Sequence, residues 1–259
     1  MAPIALCCGQ KFPPAEPRAA PTYSAASIVN SADNQSGALA PNAIATVYGK
    51  NLAYTTRALT SSDVHGGVLP TALGTSDVRV IVGGLPANLY YVSPTQVNFL
   101  IPPCLLPGPV NVQLVIDSLA GPAISEQLGD AAPGLFQLDL VNAVATRHDG
   151  SVITPSHPAK AGDVVVLYAT GLGQTVPPAG YGELPTAAAP LARIADFKVR
   201  IDGTAVDPSA VLYAGIAPGF AGLYQINVRL PTATGANPEL RISVGAAISI
   251  PGVKLPVGP

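Results

Sequence analysis

Tryptophan is absent, and charge is scarce: 13 Lys or Arg and 15 Asp or Glu among 259 residues. Without any Trp, a dedicated carbohydrate-stacking platform is a poor fit to the composition. The basic residues form no cluster, and phosphate recognition needs clustered Lys and Arg, so a nucleic-acid partner is not expected. No apolar run approaches the roughly 18 residues of a membrane span. Only three Cys occur, at 7, 8 and 104, and no pair has metal-ligand spacing. Two readings stay open: a disulfide from Cys7 or Cys8 to Cys104, or two Cys in a targeting remnant and a small apolar Cys104. Helix signals are missing too, since no stretch carries a convincing 3.6-residue apolar period.

What the chain does have is 26 Gly and 28 Pro set among short Val, Ile and Leu runs. Aliphatic runs supply enough core to exclude a disordered Pro/Gly-rich chain, and turns at this density point to an all-β fold. The opening "MAPIALCCGQKFPPAEPRAAP" contains the tail of a signal-like apolar segment without a basic region before it. Residues 1–21 therefore read as a truncated signal or linker segment ahead of an extracytoplasmic body.

The body repeats itself. "APNAIATVYGKNLA" from Ala40 matches "KAGDVVVLYATGLG" from Lys160, placing Tyr48 on Tyr168 at an offset of 120. Further on, "QVNFLIP" from Gln96 matches "QINVRLP" from Gln225 at an offset of 129. The matches keep one order, so the chain is a duplication with copies over 22–130 and 131–259. Each copy offers alternating strands, such as "AIATVY" and "VVVLY", and Asp149-Gly150 marks a tight hairpin. Short strands at about ten-residue spacing predict a β-sandwich in each half.

Period-2 alternation assigns the faces of the paired motif. Val97, Phe99 and Ile101 point inward, as do Ile226, Val228 and Leu230. Gln96, Asn98 and Leu100 point outward, as do Gln225, Asn227 and Arg229. Pro102 and Pro231 end the strands, since proline cannot donate to a ladder. The Gln–Asn pair could present amides to a sugar or peptide. Because both copies keep it while their loops diverge, the preferred role is structural, with Asn98 and Asn227 bonding the backbone of a neighbouring loop.

The long stretches "LAPNAIATVYGKNLA…VIVGGLPANLYYVSPTQVNFLIP" and "HPAKAGDVVVLYATGLGQTVPP…VLYAGIAPGFAGLYQINVRLP" resemble the C-terminal repeat family abundant in secreted proteins of Solibacter-type acidobacteria. Each half also resembles an IPT/TIG domain, an immunoglobulin-like sandwich marked by a strand followed by Gly-x-x-(Leu/Phe). Gly49 to Leu52 fits that mark, whereas Ala169-Thr170-Gly171-Leu172 departs from it. The resemblance implies tandem immunoglobulin-like domains in a secreted or cell-surface setting. It supplies no catalytic residues to carry over.

Chemistry is sparse. Ser151, His157 and Asp163 fall in suggestive order, but the Ser follows a hairpin turn, the His precedes a Pro, and no Gly-x-Ser-x-Gly elbow exists. His148, Asp149 and His157 could be grouped as metal ligands, yet Asp149 is explained by its turn. Asp196, Asp202 and Asp207 are spread over a strand and its turn without a calcium-loop pattern. Tyr54, Tyr90 and Tyr181 lie in or near loops, while Tyr48, Tyr168, Tyr91 and Tyr213 occupy matched strand positions that fit core or sheet packing. No enzyme activity, cofactor or metal is expected. The expected role is a tandem module for adhesion, assembly or spacing, with a glycan- or protein-binding accessory as the alternative. The partner would be a protein or glycan at a surface; oligomeric state is not legible.

Overall fold

The computed structural model describes residues 18–74 and 77–258, so Cys7, Cys8 and most of the leading segment lie outside the described residues. The described chain is built from strands and four single-turn 3-10 segments, with no α-helix. It forms two tandem immunoglobulin-like β-sandwiches.

In the first sandwich, the first sheet contains β1 (Ile28–Asn30), β2 (Ile44–Tyr48), β4 (Asn88–Val92) and β5 (Gln96–Leu100). Their spatial order is β1-β2-β5-β4, with the short Arg57–Ala58 strand on the outer edge. The facing sheet contains β3 (Arg79–Val82), β6 (Gly108–Ile116) and β7 (Ile124–Leu128), in the order β7-β6-β3. That is the four-plus-three arrangement of a constant-type immunoglobulin sandwich.

The second sandwich repeats the order β2-β5-β4 and the pairing of β3 with β6. Here β8 (Val164–Thr170), β10 (Val211–Ile216) and β11 (Tyr224–Arg229) form one sheet, ordered β8-β11-β10. Two short strands, Gly134–Leu135 and Ala145–Thr146, pair with β8. The opposing sheet pairs β9 (Phe197–Ile201) with β12 (Leu240–Val244).

The duplication extends to individual pairings. Thr46 stands opposite Asn98 in the first copy and Val166 opposite Asn227 in the second. Tyr48 faces Gln96 as Tyr168 faces Gln225. Even the register shift recurs, between Leu89 and Tyr91 and again between Val211 and Tyr213. The Gly-x-x-Leu departure also has a backbone cause. Asn51 and Gly171 occupy the same repeat position, and both have positive φ, +58° and +75°. Asn tolerates that left-handed region better than other non-glycine residues, so either serves the turn.

Each sandwich has its own apolar core. The first gathers Val47, Leu89, Phe99, Leu114 and their neighbours; the second gathers Leu167, Val199, Ile226, Ile242 and theirs. Val97, Phe99, Ile101, Ile226 and Val228 are fully buried and Leu230 nearly so, as the alternation predicts. The tight turn at Asp149-Gly150 is present: Gly150 has φ +82°, and Arg147 N–H donates to the Ser151 carbonyl.

Glu126 interrupts the first core. It faces Val110 across the β6–β7 ladder, is 8% exposed, and its Oε1 has no partner among the described residues. Burial pushes its carboxyl above the ordinary range, because desolvation disfavours the charged form. An acid whose pKa is higher folded than unfolded favours folding while protonated. That contribution is complete below the unfolded value and is lost as pH rises through the folded one. Glu126→Gln is therefore expected to raise the melting temperature at neutral pH. At about pH 4, near the reference Glu value, it should change little. Melting scans at the two pH values check this.

Candidate functional site

The motif face comes first, because the repeat singles it out. Gln96 Nε2 donates to Asn98 Oδ1 at 2.8 Å, and Gln225 Nε2 to Asn227 Oδ1 at 3.0 Å. Thr46 Oγ1 adds a second donor to Asn98 Oδ1 at 3.3 Å. The amides thus bond along their own strand, and the loop-backbone bonds read from the sequence are not the ones formed. Residues two apart on a strand share a face, which brings the two amides together without any loop. All four side chains are only half-buried. Replacing Asn98 or Asn227 with Leu is expected to cost less than about 1 kcal/mol, since the freed Gln can turn to water. Chemical denaturation of each variant checks it.

The matched tyrosines lie on the same outer faces. Tyr48 is 38% exposed and donates to Asn34 Oδ1; the Tyr168 hydroxyl meets Thr146 Oγ1. They pack on the sheets and not in the cores. Pro102 is buried at the end of its strand, and Pro231 is exposed at the end of the other.

Among the described residues no group of three or more His, Cys, Asp or Glu could hold a metal ion, and Ser151, His157 and Asp163 each have another partner. Ser151 Oγ accepts from Arg147, the His157 ring meets Ser156 Oγ, and Asp163 accepts from the Lys160 N–H. Asp149 accepts from the Ser151 N–H, and the Ser151 hydroxyl first, with that N–H, holds its carboxyl below the ordinary range at the turn tip. Asp202 accepts from Glu239 N–H and Asp207 from Ser209 N–H. Asp196 is bonded to Arg193.

The most developed feature is one the sequence reading did not locate: the junction between the sandwiches. Thr170, fully buried at the end of β8, accepts from Ile44 N–H at 2.9 Å and donates to the Gly222 carbonyl at 2.7 Å. One hydroxyl therefore links the start of β2 to the second sandwich. Beside it, Asn42 Nδ2 donates to the Tyr224 hydroxyl at 3.1 Å, and that hydroxyl donates to the Gly173 carbonyl. Tyr224 is fully buried, and burial raises its phenol well above the ordinary value. Asn30 Nδ2 donates to the Ala132 carbonyl at 3.0 Å, and Gln174 Nε2 to the Pro103 carbonyl at 2.8 Å.

Backbone also crosses. Leu69 N–H donates to the Gly182 carbonyl at 2.9 Å, and Leu184 N–H to the Gly67 carbonyl at 2.7 Å. These two bonds bracket a bridge between Val68 and Glu183, a short antiparallel ladder shared by both sandwiches. Over the ladder sits an apolar cluster of Leu69, Leu100 and Ala221, flanked by Ile44, Tyr90 and Leu184. Leu100 is fully buried, although alternation places it on the outer face. The second sandwich covers that face. Gly222, with φ +71°, lets the chain approach Leu100 and Ile44 where any Cβ would collide with both.

Tyr181, in a loop, and Tyr90, which lies on β4 and not in a loop as read from the sequence, are consumed here as well. The Tyr90 hydroxyl donates to the Ala221 carbonyl, and the Tyr181 hydroxyl to the Pro86 carbonyl. Neither ring is an open stacking platform. Tyr54 differs, since the Arg18 guanidinium lies 4.2 Å from its ring centroid. Against the ladder lies a cavity of about 400 Å³, walled by both sandwiches.

No protein-family model matches the chain, and no curated protein sequence matches it. Among solved structures it is similar to a Bacteroides ovatus surface glycan-binding protein, SGBP-B, of a mixed-linkage glucan utilization locus. That match has 13% identity and a TM-score of 0.34, over 85% of this chain and 43% of the other. A surface glycan-binding protein from Prevotella bryantii matches at 10% identity and a TM-score of 0.27, over 90% of this chain and 41% of the other. The tandem Ig repeats of Dlar match at 11% identity and a TM-score of 0.24, over 93% and 95%. The chain spans less than half the length of the two glycan-binding proteins.

Among the described residues, no helix is long and apolar enough to cross a membrane.

Proposed function

We propose that the chain is a non-catalytic, extracytoplasmic tandem module that holds surfaces or assembled partners at a fixed spacing. The observation that supports this is the junction. Tandem domains move relative to one another by default unless their interface is substantial. Here a buried hydroxyl, a cross-sandwich ladder and an apolar cluster oppose that movement. A stiff two-sandwich rod transmits position, which is what adhesion or spacing requires. The repeat family abundant in secreted acidobacterial proteins, which the sequence resembles, fits the same setting.

Beads coated with the full chain should adhere to bacterial cell-wall fractions, and small-angle scattering should give one rigid elongated particle. Scattering that requires an ensemble of bent forms would remove the spacing role. Reproducible turnover of a generic ester or glycoside, abolished by His157→Ala, would overturn the non-catalytic reading.

The second reading is a glycan- or protein-binding accessory, and the junction cavity is what favours it. A glycan array probed with the full chain separates the two.

A further inference from the structure

The cavity at the junction has a chemistry that the spacing role does not use. Its walls are largely aliphatic: Pro177, Pro178, Ala187, Ala188 and Ile216 come from the second sandwich, and Val68 comes from the first. No Lys, Arg, His or aromatic side chain lines it, and Glu183 is its one charged residue.

The Glu183 side chain is exposed, but its backbone is positioned. The two hydrogen bonds bracketing the Val68–Glu183 bridge fix its backbone, so its place depends on both sandwiches. Its side chain lies back over Gly180, where a Cβ would overlap Oε2. Gly180 therefore leaves room for the carboxylate at the cavity wall. Among the described residues no Lys, Arg or His forms an ion pair with Glu183.

The other polar groups sharpen the preference. Thr175 Oγ1 donates to the Pro177 carbonyl and is committed. Asn42 is 2% exposed, and its Oδ1 has no partner. The amide orientation follows from the network: the Tyr224 proton goes to Gly173, so that hydroxyl can only accept from Asn42 Nδ2. Apart from the Thr186 hydroxyl, which can play either part, and the second hydrogen of Asn42 Nδ2, the uncommitted side-chain groups are acceptors.

An aliphatic wall with an exposed, unpaired carboxylate beside it suits a ligand with an apolar stem and a cationic, donor-rich head. A sugar would find no ring to stack on. We infer that the cavity binds an aliphatic primary ammonium group, carried by a lysine side chain of a partner or by a free alkylamine. The volume matches the lower part of the range for small-ligand sites.

Calorimetric titration of the full chain with n-pentylamine and with Nα-acetyl-lysine methylamide tests it. Saturable, salt-sensitive binding of at least one amine is expected at millimolar concentration. The tighter of the two identifies the source, lysine in a protein or free amine. Glu183→Gln should weaken binding about tenfold, the equivalent of one charge-assisted hydrogen bond, with the melting temperature unchanged. Acetylating the lysine Nε should have the same effect. Absence of saturable binding by either amine overturns the inference, and so does binding that survives Glu183→Gln or acetylation.

Discussion

Replacing Leu100 with arginine, the residue its repeat carries at position 229, is expected to split one thermal transition into two. Leu100 is fully buried and belongs to the junction cluster instead of either sandwich core. An arginine there must leave its charge uncompensated or force the sandwiches apart. Breaking the seam is the easier course, because both cores remain intact without it. The loss should be on the order of 3 kcal/mol or more, the scale for an unpaired buried charge. Differential scanning calorimetry reads it directly. The parent should melt in one cooperative transition, and Leu100→Arg should show two, the lower well below the parent midpoint. A single unshifted transition would mean that the seam contributes nothing. The reciprocal change, Arg229→Leu, alters an exposed site and should stay within about 0.5 kcal/mol.

Phe99→Ala should be the costliest truncation in the first sandwich, at roughly 3–5 kcal/mol. Phe99 is fully buried and sits on β5 between β2 and β4, where neighbours on both sides limit collapse of the cavity left behind. Urea unfolding with an unchanged slope and a lowered midpoint would confirm a local packing loss. A change near zero would mean that the strand's faces are reversed.

Much of the architecture was legible because it rests on period and repetition. Alternation in "QVNFLIP" and "QINVRLP" places the six inward residues correctly. The paired offsets of 120 and 129 anticipate the observed registers, since a copied strand keeps its partner. The partners of the Gln–Asn pairs were not legible. Alternation gives a face, but it does not say whether an amide there meets a loop, its own strand or water.

The junction was missed for a related reason. The duplication drew attention to what the copies share, and the seam is made of what they do not. Thr170 stands where the first copy has Lys50, Tyr224 where it has Thr95, and Leu100 where the second has Arg229. An outward leucine in one copy opposite an arginine in the other was the available signal. Its meaning requires knowing that one sandwich covers the other. The cavity is harder still, since Asn42 and Glu183 are 141 positions apart and no spacing rule joins them.

The same divergence decides how far this mode of stacking can propagate. The seam joins one face of the first sandwich to a different face of the second, a head-to-tail contact that repeats without limit in principle. Each sandwich therefore has an unused counterpart of the face its neighbour engages. On the first sandwich that counterpart presents exposed Lys50 in place of Thr170; on the second it presents exposed Arg229 in place of Leu100. A further copy approaching either end would have to desolvate a cation where the existing seam buries a hydroxyl or a leucine. Terminal units of stacked arrays are commonly closed off by polar outer faces of this kind. A second copy stacking by the same seam would therefore bury Lys50 or Arg229 at the new contact.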